Sequence, residues 1–169
     1  VKLVFMEPAA KAAALLAGRV NAIDSFGFLQ APILASKGVP STYFTYASGG
    51  VVVPGLALIT HTDNIKNNPD LVRRMVASVR EALALGQKEP KAAIDSLLKV
   101  APNLNPKVSV EILKASFDLF ESEASRGKPS GWTPPADIEK GQNILIEGKR
   151  ISKALPISAY FTNEFVPGS

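Results

Sequence analysis

Cysteine is absent from these 169 residues, which excludes disulfides, thiolate metal sites and cysteine nucleophiles. Histidine occurs once, at position 61. A serine–histidine–acid triad or a histidine metal centre would have to be built around that single ring. No Gly-x-Ser-x-Gly elbow accompanies it, so His61 reads as a solvated residue at a strand end. Phosphate-cradling glycine loops are also missing, and Ser48-Gly49-Gly50 is too short to act as one. The longest apolar stretch, residues 51–59, is interrupted by Pro54 and Gly55 and falls far short of the roughly 20 residues of a membrane helix. The excess of positive charge is small, a formal net +4. Its lysines and arginines are spread along the chain without a basic stripe or interleaved aromatics, which argues against a nucleic-acid partner. Glu121 and Glu123 lie two apart, so they do not share a helix face as a catalytic pair. No cofactor or metal is expected. No signal peptide is visible, and an opening on Val1 rather than Met reads as a processed or cut-down polypeptide.

What is present falls into two textures. Residues 1–6 form a β-branched and aromatic run that reads as a buried strand. Pro8 and the alanine-rich residues 9–17 predict a helix ending at Gly18. Residues 20–23 predict a second strand, residues 26–36 a helix stopped at Gly38, and residues 41–46 a third strand. That β-α-β-α-β order implies parallel strands with covering helices. After the joint at Ser48-Gly49-Gly50 comes a β-branched run at 51–60, and then the chain reads as helical. Asn68-Pro69-Asp70 sets a helix start, with Leu71, Met75, Val79 and Leu83 at four-residue spacing and Val72 and Val76 beside them as an apolar stripe, and Gly86 as its end. A shorter helix is expected over 90–100. Asn105-Pro106 opens another, with Val110, Leu113, Phe117 and Phe120 as its stripe. Thr133-Pro134 opens the last, running to Gly148. The Gly- and Pro-rich residues 125–135 read as a surface loop. Trp132 within it either offers a stacking platform or pins the loop to the body.

Three stretches carry a family resemblance. The first is Ala13-Ala14-Leu15-Leu16-Ala17-Gly18-Arg19-Val20-Asn21-Ala22-Ile23, followed by Pro32 and Lys37-Gly38. The second is Leu56-Ala57-Leu58-Ile59-Thr60 with Asn68-Pro69-Asp70-Leu71-Val72 and Glu89-Pro90-Lys91-Ala92-Ala93. The third is Gly131-Trp132 through Gly148-Lys149 with the ending Tyr160-Phe161-Thr162-Asn163-Glu164-Phe165. In this order the chain resembles the C-terminal half of a periplasmic substrate-binding protein of an ABC importer, from the nitrate, sulfonate, taurine and thiamine-pyrimidine-precursor group. Asn21 stands where that family usually has Asp. The resemblance implies a partial α/β fold of the type II periplasmic-binding-protein class. Residues 1–47 would be the C-terminal part of the second lobe, 48–55 the crossover hinge, and 56–169 the return strand and helical part of the first lobe. It further implies an exported or periplasmic protein that captures a small solute and delivers it to an ABC permease, without catalysis. The tail points first to a thiamine pyrimidine precursor, with sulfonate, taurine, nitrate and riboflavin-like rings as alternatives. A pyrimidine-precursor synthase of the same fold is the enzymatic rival, but it depends on a cysteine-rich motif and histidine chemistry that this chain lacks. A ligand-sensing receptor module is the third reading.

In an open parallel sheet ligands sit beyond the carboxyl ends of the strands, and with the resemblance this selects Asp24, Ser25, Phe26 and Gly27. Asp24 could accept from an amino group, Ser25 could donate, and Phe26 could stack on a planar ring. Structurally, Asp24 could instead cap the next helix and Phe26 could be core. Gly49, Gly50, Val53 and Pro54 belong to the crossover, where backbone groups often face the ligand cleft, which makes Gly50, Val53 and Pro54 further ligand-contact candidates; hinge freedom is the favoured role of the glycines. The apolar strand at 56–60 and the two long helix stripes, cut from their covering lobe, would promote homo-oligomers.

Overall fold

Proline at the first helical position does most to place the helices of this protein. The computed structural model describes residues 1–51 and 55–168. Helices α1 (Pro8–Leu16), α4 (Pro69–Lys88), α5 (Pro90–Leu98), α6 (Pro106–Phe117) and α7 (Pro135–Glu147) all begin on a proline. There the missing N–H costs nothing and φ is already helical. At α6 the Asn105 side chain adds a cap, Oδ1 accepting from the backbone N–H of Lys107 and Val108 at 3.1 and 3.2 Å. Helix α2 (Gly27–Ser36) runs straight through Pro32, giving up one backbone bond. It closes where expected: Gly38 takes a φ of 76°, and Val39 N–H reaches back to Leu34 O at 3.1 Å.

The short helix α3 (Thr62–Asn67) was not foreseen from the sequence. His61, expected at a strand end, is its N-cap, and the ring Nδ1 accepts from Asp63 N–H at 3.2 Å. An imidazole nitrogen there does the work of the usual Ser or Asp oxygen. Two predicted stops also move. Helix α4 continues past Gly86 to Lys88, and Gly86 is buried inside it. A Cβ there would lie 3.3 Å from the Phe117 ring, so glycine is set by close packing of α4 on α6. At the end of α7 the left-handed residue is Lys149, with φ 54°, rather than Gly148.

The four strand expectations are not met: among the described residues none of the segments 1–6, 20–23, 41–46 and 55–60 is paired. A strand exists only through a neighbour that takes its N–H and C=O groups, and no described segment offers one. Their apolar side chains stay in solvent, with Phe5 94%, Phe44 91% and Ile59 92% exposed.

The helical part packs against itself. Helix α6 lies between α2 and α5, and α5 continues onto α4. Leu34 of α2, Ile94 of α5, and Phe165 and Val166 of the tail are its buried apolar side chains, each worth about 1.5–3 kcal/mol. The covered stripe on α4 is a subset of the predicted one. Leu71 and Met75 are half exposed, whereas Val72, Val76, Val79 and Leu83 are partly covered. A four-residue step overshoots a helical turn by about 40°, so a pure i+4 series drifts off its face. Alternating steps of four and three keeps 72, 76, 79 and 83 together.

Candidate functional site

Asp24 is where the structure converges on the predicted site residues. Helix α2 has Phe26 as its N-cap and no side-chain cap, so the carboxylate is not used for capping. Instead the Tyr46 hydroxyl donates to Asp24 Oδ1 at 2.6 Å, and Lys11 Nζ of α1 donates to the Asp24 carbonyl at 2.7 Å. The phenol of Tyr46 is held above the usual tyrosine range, first by that hydrogen bond and then by the negative charge of Asp24. Ionising it would break the bond and set two anions together.

Beside the Tyr46 ring that touches the carboxylate, further aromatic rings lie on the residues that follow Asp24. Phe26 and Phe28 pack in a tilted pair 5.6 Å apart. The ring of Tyr43 lies directly on Gly27, where a Cβ would come within 2.7 Å of it. Gly27 is thus required by close approach of an aromatic face, a role its place in the sequence does not reveal. Phe26, Tyr43 and Tyr46 are all more than half exposed, and Ser25 is exposed as well. The arrangement is an open aromatic shelf on segments 24–28 and 43–46, with the Asp24 carboxylate as its acceptor where the two meet. Oδ1 of Asp24 is engaged, and Oδ2 has no protein donor among the described residues. A shelf of this kind offers stacking to a planar ring and one charged acceptor to an N–H on its edge.

The sequence reading missed Tyr43, Tyr46 and Lys11. The two tyrosines were assigned to a strand by their alternation. Their common property, a location some twenty residues after the Asp24 turn, becomes meaningful only once the chain has folded back. Gly50 contributes indirectly. Its φ of 84° closes the turn over Ala47–Gly49, and Val51 N–H bonds to Tyr46 O at 2.9 Å, which fixes the backbone that carries Tyr46. Val53 and Pro54 lie outside the described residues. Two concavities lie away from the shelf: one beside Asp70, Arg73 and Arg74 on α4, the other around Lys149, Arg150 and Lys153.

The C-terminal motif serves a different purpose. Asn163 Oδ1 accepts from Thr133 N–H at 2.9 Å, and its Nδ2 donates to Thr133 O at 2.9 Å. One side-chain amide satisfies both backbone groups of a single loop residue. Gln142, buried in α7, accepts at Oε1 from Leu155 N–H at 2.7 Å and from the Tyr160 hydroxyl at 2.8 Å. Phe165 is buried with the Arg73 guanidinium 5.7 Å from its ring centre. Trp132 carries Lys128 Nζ 5.2 Å from its ring centre and is half-buried, consistent with pinning the loop. The tail is therefore a set of clamps.

Among the described residues no group of three or more His, Cys, Asp or Glu side chains could hold a metal ion. None of the described helices is long and apolar enough to cross a membrane. A family model described as NMT1/THI5 like matches residues 1–93. The chain is also 27% identical over 128 residues to the riboflavin-binding protein RibY of Chloroflexus aurantiacus, covering 74% of this chain and 34% of the relative. It thus spans about a third of the length of that curated relative. No solved structure gives a significant match.

Proposed function

The chain belongs to the NMT1/THI5-like family, a substrate-binding family of ABC transporters, and from that premise we propose that it is part of the solute-capturing component of an importer. In this reading residues 1–47 belong to one α/β lobe and 48–55 are the crossover. Residues 56–169 complete the other lobe, and the strand-like segments pair with sheet neighbours elsewhere in the full protein. The protein works outside the cytoplasm, hands its solute to a membrane permease and performs no chemistry on it.

The solute is a planar nitrogen heterocycle. The observation that carries this is the shelf itself: exposed Phe26, Tyr43 and Tyr46 around Asp24. A small inorganic anion such as nitrate, or taurine with its sulfonate, would meet a carboxylate and aromatic faces there, which is the wrong complement. The thiamine pyrimidine precursor and a flavin ring both fit the chemistry, and the riboflavin-binding relative favours the flavin. Stacking supplies area, while Asp24 selects an edge N–H.

The test is titration of a full-length protein carrying this sequence with riboflavin, a thiamine pyrimidine precursor, taurine and nitrate. A ring compound is expected to bind and the two anions are not. Asp24→Ala should weaken ring binding about tenfold or more, since a hydrogen bond to a charged group contributes about 1.5–3 kcal/mol, and Phe26→Ala should weaken it severalfold through lost stacking, about 0.5–1.5 kcal/mol beyond buried area. The melting temperature should stay nearly constant, because both side chains are exposed. Tight taurine or nitrate binding, or unchanged affinity in both variants, would overturn the assignment.

A further inference from the structure

The chain carries its least balanced charge away from the shelf. Between Gly148 and Asn163 there are three cations, Lys149, Arg150 and Lys153, and no carboxylate. All three are exposed and line one open concavity of about 740 Å3. Among the described residues none of them forms an ion pair, although four Lys or Arg contacts to carboxylates exist elsewhere on the surface. Lys149 also adopts the left-handed φ of 54°, next to a glycine that does not. For a residue with a Cβ that conformation is unfavourable, so the helix end keeps a cation where glycine would fit without strain.

The surroundings of these cations are amphipathic. Leu145, Leu155 and Tyr160 at or beside the concavity are 40–45% exposed. Their geometry is held from below: buried Gln142 bonds both Leu155 N–H and the Tyr160 hydroxyl. Cations, half-exposed leucines and a tyrosine on a pinned surface are the composition that settles at a membrane–water boundary. No described helix can span a bilayer, so contact of this kind is peripheral.

We propose that the surface formed by residues 145–160 docks on the anionic headgroups of a phospholipid bilayer. Each Lys or Arg near such a surface strengthens partitioning about fivefold, so the three together contribute roughly a hundredfold. The attraction weakens as added salt shortens the Debye length. Docking would hold the protein close to the membrane in which a permease sits, and it does not depend on which solute the shelf binds.

Co-sedimentation of this chain with vesicles tests it, using equal parts phosphatidylglycerol and phosphatidylcholine against phosphatidylcholine alone, with vesicle-free controls. The chain should pellet with the anionic vesicles only and be released by salt. Lys149→Gln, Arg150→Gln and Lys153→Gln combined should lower partitioning roughly a hundredfold. Lys66→Gln, Lys88→Gln and Lys99→Gln combined, the same change in net charge on other exposed positions, should lower it only a few-fold; circular dichroism checks that both variants are folded. The proposal is overturned if the two triple variants lose binding alike or if neutral vesicles capture the chain equally well. It is also overturned if inorganic phosphate releases the chain where chloride at equal ionic strength does not, which would mark a small-anion site instead.

Discussion

Replacing Asn163 tests how the tail is held, because two substitutions there separate the two bonds of its side-chain amide to Thr133. In the native chain one amide accepts from Thr133 N–H and donates to Thr133 O, both at 2.9 Å. The contact sits beside buried Pro134, between half-buried partners. Each bond has a net worth of about 0.5–1.5 kcal/mol. Asn163→Ala therefore should cost about 1–3 kcal/mol, the upper end applying if water does not reach the Thr133 groups. In a chain of this size that is a fall of very roughly 2–12 °C in melting temperature. Asn163→Asp keeps the acceptor but loses the donor, and it brings a negative charge against the Thr133 carbonyl. At neutral pH it should be no more stable than the alanine variant. Protonating the new carboxyl restores a donor, so Asn163→Asp should recover relative to Asn163→Ala as the pH falls through about 4. Urea unfolding at pH 7 and pH 4 measures both. If Asn163→Ala leaves the denaturation midpoint unchanged, the amide clamp is not a source of stability and the tail is held by the Gln142 bonds and the burial of Phe165 and Val166.

Two further outcomes follow from close contacts. Gly86→Ala should be nearly neutral, the helical preference for alanine of about 1 kcal/mol being set against a Cβ 3.3 Å from the Phe117 ring; Gly86→Leu should lose about 1–3 kcal/mol by overpacking, read from the thermal midpoint. The phenol of Tyr46 is raised by its bond to Asp24, so that contribution to stability is complete below the ordinary tyrosine pKa of about 10 and disappears as pH rises through the raised value. Absorbance titration should show the Tyr46 step at lower pH in Asp24→Ala, and an unmoved step would mean that the hydrogen bond is not formed in solution.

The difference between what was legible and what was not follows sequence distance. Asn105-Pro106, Asn68-Pro69 and the Gly38 stop act within one turn, and the helices begin or end there as read. Asn163 meets Thr133 across thirty positions, and Tyr46 meets Asp24 across twenty-two. No local pattern announces such pairings. Gly86 misled for the same reason: it reads as a helix stop, but here it makes room for the Phe117 ring, as Gly27 does for Tyr43. The strand readings failed differently. Alternating apolar residues such as Tyr43, Phe44 and Tyr46 report what a segment could bury, while pairing depends on a neighbour the segment cannot specify.

The two lines of support for this protein cover complementary parts of it. The family match spans residues 1–93, which include the Asp24 shelf and every segment that alternates like a strand. Those segments are also where the structure leaves apolar side chains uncovered, Phe5, Phe44 and Ile59 most of all. Beyond residue 93 lie three of the four buried apolar side chains, Ile94, Phe165 and Val166, with the Gln142 and Asn163 clamps. Large apolar side chains exposed in such number seldom stay bare in a working protein. On the reading proposed above, sheet strands of a longer protein would lie against residues 1–60 and close the open side of the shelf. On that arrangement Phe26, Tyr43 and Tyr46 form one wall of a cleft. Asp24 would gain strength there, because a charged acceptor holds an N–H more firmly once water is excluded.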